Sequence, residues 1–144
     1  MPSGRTQSYR DLTVWKRGIQ LVTAVYELTE GFPREEVYGL TSQMRKASIS
    51  IPSNIAEGRS RGTGKDYLQF LRTAFASGAE LETQIEISKR LPSTKNCVFT
   101  TVDLLLAEVM KMLNAMLKNL NPHIVQRVIQ TQANEASEAI SQKL

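Results

Sequence analysis

DLTVWKRGIQLVTAVYELTEGFP, residues 11–33, decides the class of fold. Leu12, Trp15, Ile19, Val22, Tyr26 and Thr29 recur in steps of three and four, which places them on one face of an α-helix. Asp11 stands where a helix cap is needed. Gly31-Phe32-Pro33 ends the segment, because glycine accepts a left-handed turn and proline cannot continue a helix. A second apolar stripe, Val14, Gly18, Leu21, Val25 and Leu28, lies about 100° further round the cylinder. The apolar arc is wider than one core face requires. Such a helix is either deeply embedded, or it packs a bundle with one stripe and a neighbouring subunit with the other. The second reading is favoured, with Val14, Leu21, Val25 and Leu28 assigned to the subunit contact.

The same spacing continues along the chain. Over residues 35–61, Val37, Leu40, Met44, Ala47, Ile51, Asn54 and Gly58 form a seam interrupted by Pro52. Proline removes the hydrogen bond to the Ser48 carbonyl, so a kinked helix is expected. Asn54 either fixes register on the seam or satisfies groups freed at the kink. Thr63-Gly64-Lys65-Asp66 reads as a capping box opening a third helix. Its seam is Tyr67, Leu71, Ala74, Gly78, Leu81 and Ile85, and Leu91-Pro92 ends it. Gly78, costly in mid-helix, implies a close helix–helix approach.

A loop around Ser93–Asn96 precedes the fourth segment, which reaches about residue 120. It carries one stripe from Val98 through Val102, Leu105, Val109, Met112 and Met116. A second stripe runs from Leu106 through Met110, Leu113, Leu117 and Leu120. Leu106, Leu113 and Leu117 are assigned to the subunit contact. Beyond Asn121-Pro122, Val125, Ile129, Ala133, Ala136 and Ile140 keep helical spacing in a polar background, as a short fifth helix or a fraying tail. Short connections make consecutive helices antiparallel. The expected organisation is a flexible segment over 1–10, an all-α, antiparallel up-down-up-down four-helix bundle over 11–121, and a tail over 122–144.

Composition narrows the chemistry. Hydrophobic residues make up 41% of the 144 and charged residues 22%, which suits a globular domain with a packed core. No apolar run approaches the roughly 18–20 residues of a membrane span, and the first residues lack a signal-peptide core, so a cytoplasmic protein is expected. Cys97 and His123 are each the only residue of their type. Intramolecular disulfides, Ser-His-Asp and Cys-His catalysis, and the paired Glu-x-x-His motifs of di-iron bundles therefore find no residues to build them. No metal or other cofactor is expected. Arg61-Gly62-Thr63-Gly64-Lys65 falls short of a phosphate loop, since Arg59 occupies the first glycine position and Asp66 replaces the Ser/Thr. Glu57–Arg61 and Glu86–Arg90 have the spacing of helix-surface ion pairs. No catalytic constellation emerges, and a non-enzymatic protein is expected.

The net charge of +4 is uneven: residues 1–72 hold 11 Lys/Arg against 7 Asp/Glu, and residues 73–144 hold 7 of each. Arg45, Lys46, Arg59, Arg61, Lys65 and Arg72 form a locally basic region. This is the candidate surface for RNA or DNA phosphates, set against a solvated helix face. A protein–protein adaptor without nucleic-acid binding is the alternative.

Four stretches together resemble the four-helix-bundle family named after intervening sequences in 23S rRNA genes. They are Asp11-Leu12-Thr13-Val14-Trp15-Lys16; Tyr38-Gly39-Leu40-Thr41-Ser42-Gln43-Met44-Arg45-Lys46-Ala47; Ser50-Ile51-Pro52-Ser53-Asn54-Ile55-Ala56-Glu57-Gly58; and Glu80-Leu81-Glu82-Thr83-Gln84. The resemblance covers about residues 9–120 and implies a left-handed up-down bundle assembled as a homopentamer, with a largely undefined biochemical role. A more distant resemblance is to the accessory protein of diversity-generating retroelements, a basic pentamer that works with a reverse transcriptase and nucleic acid. By analogy it favours nucleic-acid binding.

Overall fold

The structure, a computed structural model, describes the backbone of residues 8–120 and 122–143, and the side chains of all of these except 122–129. The described residues form five α-helices: α1 (Thr13–Glu30), α2 (Ser42–Ser60), α3 (Gly64–Arg90), α4 (Thr100–Leu120) and α5 (Pro122–Gln142). Helices α1 to α4 close a four-membered antiparallel bundle in which each helix packs on two neighbours, α2 and α3 most extensively. The core runs along the bundle axis, with Leu21, Met44, Ile51, Ile55, Leu71, Leu81 and Leu113 fully buried.

Local chemistry explains the helix ends. Thr63 caps α3 as expected, its Oγ1 accepting from the Asp66 N–H at 3.2 Å. Asp11 does not cap α1. It lies instead in a 3-10 turn, Tyr9–Asp11, that Ser8 opens by accepting the Arg10 N–H. Gly31 leaves α1 in right-handed backbone (φ −79°), and among the described residues the positive-φ glycine is Gly62 (φ 82°), in the α2–α3 turn. The approach to α2 is less regular than periodicity suggests. A 3-10 turn over Arg34–Glu36 and a wider turn over Val37–Thr41 precede it, broken at Gly39 (ψ −115°), while Glu36 accepts the Leu40 N–H. Val37 and Val98, both assigned to seams by spacing, are exposed. Each lies outside the regular helix that would have turned it inward.

Helix α2 continues through Pro52, which is buried. Gly18 of α1 faces it: a Cβ at Gly18 would lie 3.3 Å from the Pro52 Cβ. Asn54 Nδ2 donates to the Ser50 carbonyl at 2.7 Å and to Ser50 Oγ at 2.9 Å. Ser50 Oγ lies 2.7 Å from Ser77 Oγ on α3. Asn54 thus bonds within its own helix, at Ser50 and not at the Ser48 carbonyl that the proline frees, and feeds a polar bridge between α2 and α3. Gly78, as its position implied, faces α4, where a Cβ would collide with Met110 Sδ.

The subunit-contact assignment needs correction. Val14, Leu21, Val25, Leu28, Leu106 and Leu113 are buried in the protein's own core, and Leu117 packs against it. Gly18 in this stripe lets α1 approach α2 at Pro52. The other stripe divides: Thr29 is buried and Leu12 and Trp15 pack against the core, while Ile19 is 42% and Tyr26 36% exposed; Ile49 of α2, 41% exposed, shares a groove with Trp15, Ile19 and Val22.

Lys89 Nζ donates to Asp103 Oδ2 at 2.8 Å, tying the end of α3 to the start of α4. That hydrogen bond, partly opposed by burial, raises the Lys89 pKa. A raised folded-state pKa contributes stability that is complete below the unfolded value, roughly 10.4, and is lost as pH rises through the folded value. Asp103→Asn is therefore expected to cost at most about 1 kcal/mol at neutral pH, because the pair is part-exposed. The difference should fade as the pH is raised through the folded value, which paired melts at neutral and strongly alkaline pH would show.

Helix α5 comes after α4 in the chain and, among the described residues, contacts it more than any other helix. Every described side chain on it, from Gln130 to Gln142, is exposed. The tail is thus a helix of 21 residues. His123, Val125 and Ile129 lie outside the described side chains.

Candidate functional site

Antiparallel topology sorts the charges. The end of the bundle at the α2–α3 turn gathers the start of α1, the end of α2, the start of α3 and the end of α4. Divided at the helix midpoints, this half of residues 8–120 carries nine Lys/Arg against three Asp/Glu, and the opposite half carries six against nine. The bundle is electrically polarised along its axis.

The six basic residues singled out by sequence do not form one surface. Arg59, Arg61, Lys65 and Arg72 lie in the basic half, while Arg45 and Lys46 lie at the other end of α2. Fourteen residues of helix separate Arg45 from Arg59, about 21 Å at 1.5 Å per residue. Arg45 also has a structural task. Its Nε donates to Thr29 Oγ1 at 2.9 Å, and its guanidinium lies 4.3 Å from the Tyr26 ring, tying α2 to the end of α1. Lys46 is exposed at that same end.

At the basic end, Arg61 pairs with Glu57 at 2.9 Å across a part-exposed helix turn and lies 5.2 Å from the Phe70 ring. Arg59 lies 5.8 Å from the Tyr67 ring. Lys65 is exposed and Arg72 half-exposed. Sequence adjacency missed five further cations that the topology brings to this half: Arg10, Lys16 and Arg17 from the first helix and its approach, and Lys111 and Lys118 from α4. The signal was available in the up-down topology, which places the start of helix one beside the end of helix four. Arg17 reaches Glu108 of α4 at 2.8 Å.

A cleft of about 620 Å³ opens at the basic end. Tyr9, Arg59 and Tyr67 line it together with Ser8, Ser60, Thr63, Leu120 and three glycines of the α2–α3 region. Its volume lies within the roughly 300–1,000 Å³ of small-molecule sites. Close helix packing positions the second ring: Gly58 lets α3 approach so nearly that a Cβ there would lie 3.3 Å from Tyr67 Cδ1. Burial raises the Tyr67 pKa, with Arg59 pulling the other way, so the phenol stays protonated at neutral pH. Tyr9 is braced by an edge-on contact with Trp15, ring centroids 5.4 Å apart.

Fold and charge together define a small all-α bundle protein with its cations gathered towards one end. The chain belongs to the 23S rRNA-intervening sequence protein family, whose model matches residues 10–115. The match stops inside α4, so α5 lies beyond it. No curated protein matches the chain. No described helix is long and apolar enough to cross a membrane.

Proposed function

We propose that the protein is a non-enzymatic, oligomeric scaffold that binds the phosphates of RNA or DNA through the basic end of its bundle. The observation that carries this reading is the axial separation of charge, nine cations against three carboxylates in one half. Arg59, Arg61, Lys65 and Arg72 are the core of the surface, joined by Arg10, Lys16 and Lys118. A homopentamer, implied by the family resemblance, would repeat this end five times and turn a modest field into a strong one. The exposed Ile19 and Tyr26 stripe, with Ile49 alongside, is the face left for contact between copies. The non-enzymatic character rests on a single histidine and a single cysteine, too few for the nucleophile–base pairs or His/Cys metal sites considered above.

Fluorescence anisotropy with a labelled structured RNA tests the proposal. Binding at low salt should weaken steeply as salt rises, because each neutralised phosphate releases condensed counterions. Lys65→Gln or Arg72→Gln should each lower the salt slope by about 1. A flat salt response, or no binding at low salt, would overturn the reading.

A protein–protein adaptor is the second reading, favoured by α5, whose described side chains are all exposed and include Ile140 at 63%. A specific protein retained after nuclease treatment, and lost when α5 is deleted, would select it.

A further inference from the structure

We infer that the cleft between Tyr9 and Tyr67 is a base-binding site, so that the basic end takes unpaired nucleotides in preference to duplex. This rests on the phosphate-binding reading and adds a recognition element to it. A surface built for phosphate alone needs cations and no aromatic walls. Here two phenol rings from separate elements, the turn before α1 and the first turns of α3, line one cleft beside Arg59.

The lining suits a nucleobase. Such a base presents two apolar π-faces and a polar edge. The cleft supplies rings and the Leu120 side chain for the faces, and the Ser60 and Thr63 hydroxyls for the edge. Stacking on aromatic side chains is sequence-tolerant, because every base has a π-face. Arg61 and Lys65 alternate with the lining residues in the chain and supply cations for the backbone phosphates of a bound strand. A duplex keeps its bases stacked inside and shows the protein only phosphates and groove edges. It can meet the cations but cannot fill the cleft. Both rings are held before any ligand arrives, Tyr9 by Trp15 and Tyr67 by the close α2–α3 contact at Gly58. Little ordering is therefore left to oppose binding.

The test compares a labelled twelve-nucleotide single strand with the same strand in duplex, at one low salt concentration, on the full chain. The native protein should bind the single strand about tenfold more tightly. Tyr9→Leu and Tyr67→Leu should each remove most of that preference and leave duplex affinity within about twofold, whereas the Phe variants, which keep the ring, should retain it. Trp15, the only tryptophan, lies against Tyr9 and gives a second readout on the unmodified protein. Its emission should change on saturation with single strand and not with duplex.

Equal affinity for the two forms, with Leu variants indistinguishable from the native protein, would overturn the base site and leave the phosphate reading standing. Failure to bind either form at low salt would overturn both.

Discussion

Leu21→Ala should destabilise the bundle by about 3 kcal/mol, within the usual 2–5 kcal/mol for emptying a fully buried leucine site. Leu21 is completely buried in the α1 stripe that faces the core. Ile19→Ala, two residues away on the exposed stripe, should change the stability of the isolated chain by about 0.5 kcal/mol or less. Urea unfolding of the two variants decides which arc of α1 is internal. Comparable losses in both would mean that α1 is embedded on both sides, and a larger loss for Ile19→Ala would reverse the assignment.

Gly58→Val should be the more disruptive of the glycine substitutions, at about 3 kcal/mol, the upper part of the range for overpacking. A Cβ at Gly58 would lie 2.6 Å from the Phe70 Cβ, an atom fixed to the α3 backbone that cannot swing aside. The α2–α3 pair, the most extensive contact in the bundle, would have to part. Gly78→Ala is the contrast. There the obstacle is the flexible Met110 thioether, and the better helix propensity of alanine returns about 1 kcal/mol, so the net change should be small. Thermal melts should separate the two variants clearly, and a well-folded Gly58→Val protein with native stability would refute the close approach. Because Gly58 also positions Tyr67, that variant should lose single-strand preference as well.

Helix identity was legible in the sequence because the spacing of three and four survives nearly everywhere that the chain is helical. The Thr63 cap and the Gly78 approach followed from residue chemistry alone. Which of two apolar stripes faces inward did not. Leu12–Trp15–Ile19 and Val14–Leu21–Val25 have the same periodicity, and the core selects the stripe that contains Gly18. Small side chains permit close approach to α2, where Pro52 meets Gly18. The turns before α2 were hidden for a related reason, since Val37 and Leu40 keep helical spacing although Gly39 breaks the helix between them.

The basic region illustrates a different limit. Arg45 to Arg72 is compact along the chain, but a helix of 19 residues carries its two ends far apart. Charges adjacent in sequence were separated, and charges more than a hundred residues apart, such as Arg10 and Lys118, were brought to the same end. Arg45 was drawn into a contact with Tyr26 and Thr29 that periodicity cannot reveal. The two tyrosines of the cleft were likewise invisible, because Tyr9 and Tyr67 come to one cleft only through the closed bundle.

The most direct test of the basic end removes equal charge from each half. One variant replaces Arg61, Lys65, Arg72 and Lys118 with glutamine, and its counterpart replaces Arg34, Lys46, Arg90 and Lys95. Both lose four positive charges, so any difference between them reports position and not net charge. Affinity for a labelled single strand is measured across a salt series for each. Binding through the basic end requires the first variant to lose affinity about a hundredfold or more and to show a salt slope shallower by several units. The second should stay close to native. Equal losses in the two variants would contradict it.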